Sequence, residues 1–264
     1  MPTSPQFPTP LHQQAAEEIV AFAKTLPIEA VLLVNSCARG KAIAQSDLDV
    51  ALLIDPSLPA SEQQWLDHAW RQHYHSAPIF RQFAQLGPFS GVHLDFFDGQ
   101  WKPEIWDEGG GPDAFEIEIG NRIAWSAPLW EHSKMFADLR ADWLPYYGEE
   151  LRRQRLKMVT DACLLDFDRI HSYAQRDLIF YAFDRLYHAF QEFLQALFIA
   201  HRTYPIAYNK WIREQVEEIL ELPALYTELP SILEISRLQP VDLIEKAESL
   251  QRLLATWVTP HNQS

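Results

Sequence analysis

The sequence predicts an α+β fold: an N-terminal half, residues 1–135, that mixes strands with helices, and an all-α helical-bundle half, residues 136–264. Three observations carry this reading. Short apolar runs bounded by turn residues recur in the first half. Apolar residues at helical spacing fill the second half, with prolines between them. Of the 264 residues, 47% are apolar, enough to pack real cores and to exclude a chain disordered throughout.

The elements follow in order. Leu11 to Thr25 places Leu11, Ala15, Ile19, Phe22 and Ala23 at the spacing of a helix. Ala30 to Val34 is a β-branched and leucine run long enough for a buried strand, and Asn35-Ser36 ends it. Cys37 to Ser46 is polar and contains a glycine, which predicts a loop. Leu48 to Ile54 is a second strand, closed by Asp55-Pro56. Ser61 with Gln64 makes a capping-box pattern for a helix reaching about His73. Val92 to Phe97 alternates and predicts a third strand. Gly109-Gly110-Gly111-Pro112 reads as a flexible loop, and Phe115 to Trp125 fits helix and strand alike. In the second half, helices are expected at about 136–158, 160–172, 175–202, 209–220 and 240–257, punctuated by Pro205, Pro223, Pro230 and Pro240. Tyr181, Leu186, Phe190, Phe193, Leu194, Leu197 and Phe198 form an apolar stripe that predicts core packing.

Composition narrows the partners. There are 22 Lys+Arg against 36 Asp+Glu, a net charge of −14. Such a surface repels polyphosphate backbones at long range, which argues against DNA or RNA as a main partner. It does not exclude a single nucleotide, because a local cluster and a metal outweigh a distant field. No uncharged apolar run is long enough to span a membrane. Met1 to Pro10 is proline-rich and lacks the basic start of a secretory signal. Two cysteines, Cys37 and Cys163, make neither a disulfide framework nor a four-cysteine zinc site, so a reducing compartment, the cytoplasm, is the expected location.

The stretch that carries chemistry is Val31 to Ile54. Period two along a strand puts Asp47 and Asp49 on one face, with Leu48 and Val50 on the other. Two adjacent carboxylates repel each other until a divalent cation joins them, and Mg²⁺ favours carboxylates together with phosphate oxygens and water. Asp95 lies on the face opposite Leu94 and Phe96; were its strand paired beside the second one, it would join the two acids. Three carboxylates in a cleft can hold two metals about 3.5–4 Å apart for an in-line displacement at phosphorus. His93 shares the face of Asp95 and reads as a structural histidine, and Asp98, Asp107 and Asp113 read as solvated loop acids.

Asn35-Ser36-Cys37-Ala38-Arg39-Gly40, followed by Ser46-Asp47-Leu48-Asp49-Val50, resembles the signature of the DNA polymerase beta-like nucleotidyltransferase superfamily. That signature is a Gly-Ser turn, a spacer, and Asp-x-Asp on a strand. Ala-Arg-Gly in the spacer is similar to small bacterial members, antibiotic-modifying ones among them. The helical half is similar to their companion domain, and Tyr204 to Trp211 resembles part of that group. The resemblance implies a mixed sheet flanked by helices that binds Mg²⁺ and a nucleoside triphosphate, ATP first. It implies Asp47 and Asp49 as metal ligands and Asp95 as a third acid, either ligand or general base, with Glu116 and Glu118 as further base candidates. Ser36 would bind a phosphate oxygen and Arg39 would add a phosphate contact. Asn35 stands in the nucleotide-binding turn where the family has glycine; asparagine is the next most tolerant residue for a left-handed backbone.

The implied reaction moves a nucleoside monophosphate, AMP from ATP, to a hydroxyl of a small molecule, an aminoglycoside- or lincosamide-like antibiotic being one such class. Two other readings stand beside it: an antitoxin-type protein that binds or modifies a protein partner, and a non-catalytic nucleotide binder. A homodimer is open as well. Trp143, Tyr146, Tyr147, Tyr173, Tyr181, Tyr187 and Trp211 either line an acceptor pocket or pack. Glu149, Asp177 and Asp184 would suit a cationic acceptor.

Overall fold

The computed structural model describes residues 5–106 and 111–262, so Asp107 and the first two glycines of the expected flexible loop lie outside the described residues. The chain forms two compact units: Met1–Lys102 with Ile119–Leu144, and Pro103–Glu118 with Pro145–Ser264. Neither is one continuous stretch, which a single cut after residue 135 does not anticipate. The segment 103–118 joins the helical unit because its acids find their partner there, as described below.

The first unit opens with α1 (Pro10–Ala23), where the Thr9 side chain caps the His12 amide and Pro10 takes the first turn. Strand β1 (Ile28–Leu33) leads into a single helical turn, α2 (Asn35–Ala38), which takes up the first two residues of the expected loop; the rest, Arg39 to Ser46, is turn and irregular chain. Strand β2 (Leu48–Ile54) has the expected bounds. Helix α3 (Ala60–Ser76) starts one residue before Ser61, so the capping box is not used; the Pro59 carbonyl instead accepts the amides of Glu62 and Gln63. Then follow α4 (Pro78–Phe83) and β3 (Val92–Phe97). The ambiguous stretch is helical: α5 (Phe115–Ile119) runs into a wide turn in which the Trp125 amide donates to the Gly120 carbonyl. Strand β4 (Ala127–Glu131) and α6 (Met135–Trp143) complete this part of the chain.

The strands form one mixed sheet in the order β3-β2-β1-β4. β1 is antiparallel to β2 and β4, and β2 is parallel to β3. β4 was not anticipated. It carries Pro128, which cannot donate to a ladder, and it accordingly sits at the sheet edge. Val31, Leu33, Val50 and Leu52 pack with Ile19 of α1, Leu66 and Trp70 of α3 and Phe80 and Phe83 of α4. This core fixes β1 and β2, the strands that hold the candidate site.

The helical unit is built on α7 (Glu149–Gln175), α8 (Ile179–Ala200), α9 (Pro223–Leu233) and α10 (Pro240–Trp257). The break expected near residue 159 is absent, and α7 runs unbroken for 27 residues. The break falls instead at 144–148, where Pro145 and Gly148 stand. Helix α9 was hidden by its prolines: Pro223 starts it, and Pro230 is accommodated within it. The α8 stripe is core from Leu186 to Phe198, but Tyr181 is 46% exposed and stacks on Tyr173 with ring centroids 4.5 Å apart. The loop 204–211 is held by the buried Gln215 side chain, which accepts from the Ile206 amide (2.6 Å) and donates to the Ala207 carbonyl (2.7 Å). Among the described residues, no helix is long and apolar enough to cross a membrane.

Two buried polar groupings stiffen this unit. Arg155 of α7, 2% exposed, donates to Glu116 (2.6 Å) and Asp113 (2.7 Å), and Gln195 and Tyr147 also donate to Glu116 (2.9 and 2.7 Å). Asp113 is therefore not a solvated loop acid: its side chain is 5% exposed. Removing one partner would strand buried charge, which typically costs about 3–5 kcal/mol. In the second grouping, Asp166 of α7 meets Arg169 and Arg185, with Glu192 of α8 buried nearby.

Burial, together with the charge of Asp166, pushes the Glu192 carboxyl up to about 8. The native chain keeps this proton up to that pH, while the unfolded chain releases it near the ordinary value of 4.5. The Glu192 contribution to stability is thus complete below 4.5 and lost as pH rises towards 8. Glu192→Gln should flatten the fall in stability across that window by a few kcal/mol, on the scale of about 1.4 kcal/mol per pKa unit. Urea unfolding of both proteins at a series of pH values checks this.

Candidate functional site

The site is assembled at the C-terminal end of β1 and the N-terminal end of β2. Asn35 follows β1 with φ 57°, the left-handed conformation that glycine usually supplies, and Gly40 closes the turn at φ 69°. Just past Gly40 the Lys41 amide donates to the Ser36 carbonyl (2.9 Å), so the segment folds back on itself. Ser36 and Arg39 are both half-buried.

Backbone hydrogen bonding ties this turn to the acids. The Val34 amide donates to the Asp49 carbonyl (3.1 Å), and the Cys37 thiol donates to the Asp47 carbonyl (3.5 Å). Burial, then the charges of Asp49 and Asp47, push the Cys37 thiol up to about 12, which keeps it protonated and able to donate. On the other side, the buried His12 ring donates from Nε2 to the Ser46 carbonyl (3.1 Å), while Nδ1 lies 2.8 Å from the Thr9 hydroxyl. Burial holds the His12 pKa down against the opposing pull of Ser46 and Asp47. The backbone on both sides of Asp47 is therefore held by side chains from α1 and α2.

Leu48 and Val50 point into the core, leaving Asp47 and Asp49 on the accessible face. The parallel register sets Asp49 opposite His93 and Ala51 opposite Asp95. One oxygen each of Asp47 and Asp49 and a ring nitrogen of His93 lie within 4.8 Å of one another. His93 Nε2 is 3.9 Å from Asp47 Oδ2, and the two side chains are 64% and 43% exposed. His93 is therefore not a structural core histidine. Two carboxylates and an imidazole nitrogen, open to water on one side, fit a divalent cation.

Asp95 occupies the same face as His93, one pleat repeat further along, outside that group of three. Its charge acts on Arg122, whose guanidinium is depressed by burial and raised in part by Asp95. Arg122 also lies over the Phe97 ring, 5.6 Å from the centroid. Glu116 is fully buried and held by Arg155, Gln195 and Tyr147, so it is a structural carboxylate rather than an available base; Glu118 is half-buried. Tyr146 and Tyr147 stack at 4.2 Å within the helical unit, and Tyr147 spends its hydroxyl on Glu116, which marks them as packing. Lys210 is exposed. What sequence reasoning undervalued was His93 and the Cys37 thiol. The alternation of β3 signalled the first; for the second, its place in the turn was the only local sign.

No family model and no curated protein matches the chain. Among solved structures it is similar to a nucleotidyltransferase-like protein from Exiguobacterium sibiricum 255-15. The two are 13% identical, with 92% of this chain and 74% of that one covered and a TM-score of 0.44. A likeness this distant adds nothing to the chemistry of the side chains just described.

The left-handed backbone at Asn35 has a measurable consequence. Asn35→Ala should cost about 1 kcal/mol, because a Cβ without a local hydrogen-bonding group is disfavoured there. Asn35→Gly should keep wild-type stability, as read from urea unfolding midpoints.

Proposed function

We propose that the chain is a divalent-metal-dependent nucleotidyltransferase that transfers a nucleoside monophosphate, AMP from ATP, to a hydroxyl of a small molecule. The observation that carries this reading is the placement of Asp47 and Asp49 on one accessible face, tied through Val34 and Cys37 to the Asn35–Gly40 turn. The agreement of this arrangement with the strand, turn and Asp-x-Asp signature supports it further.

In this reading Asp47 and Asp49 hold the metal. When bound, that ion neutralises charge on the phosphate oxygens and makes the α-phosphorus more open to attack. Ser36 donates to a phosphate oxygen through its hydroxyl and amide, while Asn35 keeps the turn in the conformation that lets the backbone approach. Arg39 opposes the remaining phosphate charge. The acceptor oxygen bonds to the α-phosphorus, the bond to the β-phosphate oxygen breaks, and pyrophosphate leaves. Asp95, next along the acidic face, receives the acceptor proton. Catalysis of this kind is positioning and electrostatic stabilisation rather than covalent chemistry by the protein. The buried free thiols of Cys37 and Cys163 accord with a reducing cytoplasm.

Incubation with ATP, Mg²⁺ or Mn²⁺ and a panel of hydroxyl-bearing acceptors, aminoglycosides and lincosamides included, should yield an acceptor heavier by one nucleoside monophosphate in mass spectrometry. Asp47→Asn and Asp49→Asn should each lower the rate by about a hundredfold or more, the scale of losing one preorganised electrostatic partner of a transition state. Undiminished transfer by the double variant would overturn the assignment.

A further inference from the structure

Pairing of β2 with β3 does something that the acidic pattern alone does not require. Opposite residues on neighbouring strands lie about 4.8 Å apart, whereas the next residue on the same face is about 6.6 Å further along the strand. The residue opposite Asp49 is His93, and Asp95 is the one a step beyond, opposite Ala51. The consequence appears in the side chains: His93 Nε2 approaches Asp47 Oδ2 to 3.9 Å, and its ring nitrogen joins one oxygen of each acid within 4.8 Å. Asp95 does not join them, and its charge instead offsets the desolvated Arg122. The His93 ring has little packing role, since its side chain is 64% exposed.

We infer that His93 is the third protein ligand of the divalent ion held by Asp47 and Asp49, and that this nitrogen donor makes the site prefer Mn²⁺ over Mg²⁺. The inference rests on the proposed reading of Asp47 and Asp49 as metal ligands and deepens it. Mg²⁺ favours oxygen donors and sheds water reluctantly, so an imidazole adds little to its binding. Carboxylate and water suit Mn²⁺ as they suit Mg²⁺, but Mn²⁺ is a first-row transition ion that also takes an imidazole nitrogen, as its heavier neighbours do more strongly still.

The test uses the whole 264-residue chain with Mn²⁺ alone, without nucleotide. Pulsed EPR of bound Mn²⁺ should show modulation from a directly coordinated ¹⁴N nucleus, and His93→Gln should abolish it. The same variant should weaken Mn²⁺ binding in calorimetry by about tenfold or more, the lower bound known even for residues that merely orient a metal ligand. Mg²⁺ binding should change much less. His93 is exposed, and an unchanged circular dichroism spectrum and melting curve verify that the variant folds. Bound Mn²⁺ without ¹⁴N coupling, or coupling that survives His93→Gln, overturns the role of His93 while leaving the acids in place. Absence of Mn²⁺ binding, or binding undiminished in Asp49→Asn, overturns the reading of the acids themselves.

Discussion

A carboxylate can enter a sheet buried on both faces only at the end of a strand, where water still reaches it, and this constraint arranges the first unit. β1 and β2 are apolar almost throughout: Val31, Leu32, Leu33, Leu52 and Leu53 are completely buried. Charge inside that pair would carry a desolvation cost of several kcal/mol. Asp47 and Asp49 escape it by lying where β2 begins, level with the turn that ends β1. The same location lets the turn amides and the acids share one small region. The apolar strands thus act as a rigid mount, and the polar residues gather at its rim.

The mount also explains why the side chains that brace it are buried while the acids are not. His12 and the Cys37 thiol direct their hydrogen bonds to the carbonyls of Ser46 and Asp47, not to the carboxylates. These bonds fix the backbone at Asp47 without engaging its carboxylate, which faces His93. Preorganisation of this sort places ligand atoms without using up their lone pairs.

Much of this was legible in the sequence because its signals are local. β2 and β3 lie where their alternation and apolar runs place them, and the left-handed turn follows from an asparagine in a glycine position. What was hidden depended on distance or on misleading punctuation. β4 is five residues long and contains a proline, so no run announces it. α9 begins on a proline that reads as a stop when it is in fact a first helical residue. His93 and Asp95 share a face, and only the parallel register separates their surroundings. The Arg155 cluster joins residues 39 and 42 positions apart, and nothing near Asp113 or Glu116 marks them as buried.

That cluster bears on how the protein is made. Asp113 and Glu116 are synthesised well before Arg155, so the guanidinium that pairs with both in the folded chain becomes available only once α7 has followed them. A fragment ending near residue 135 would carry the same two acids without Arg155, the cation that pairs with both in the folded chain.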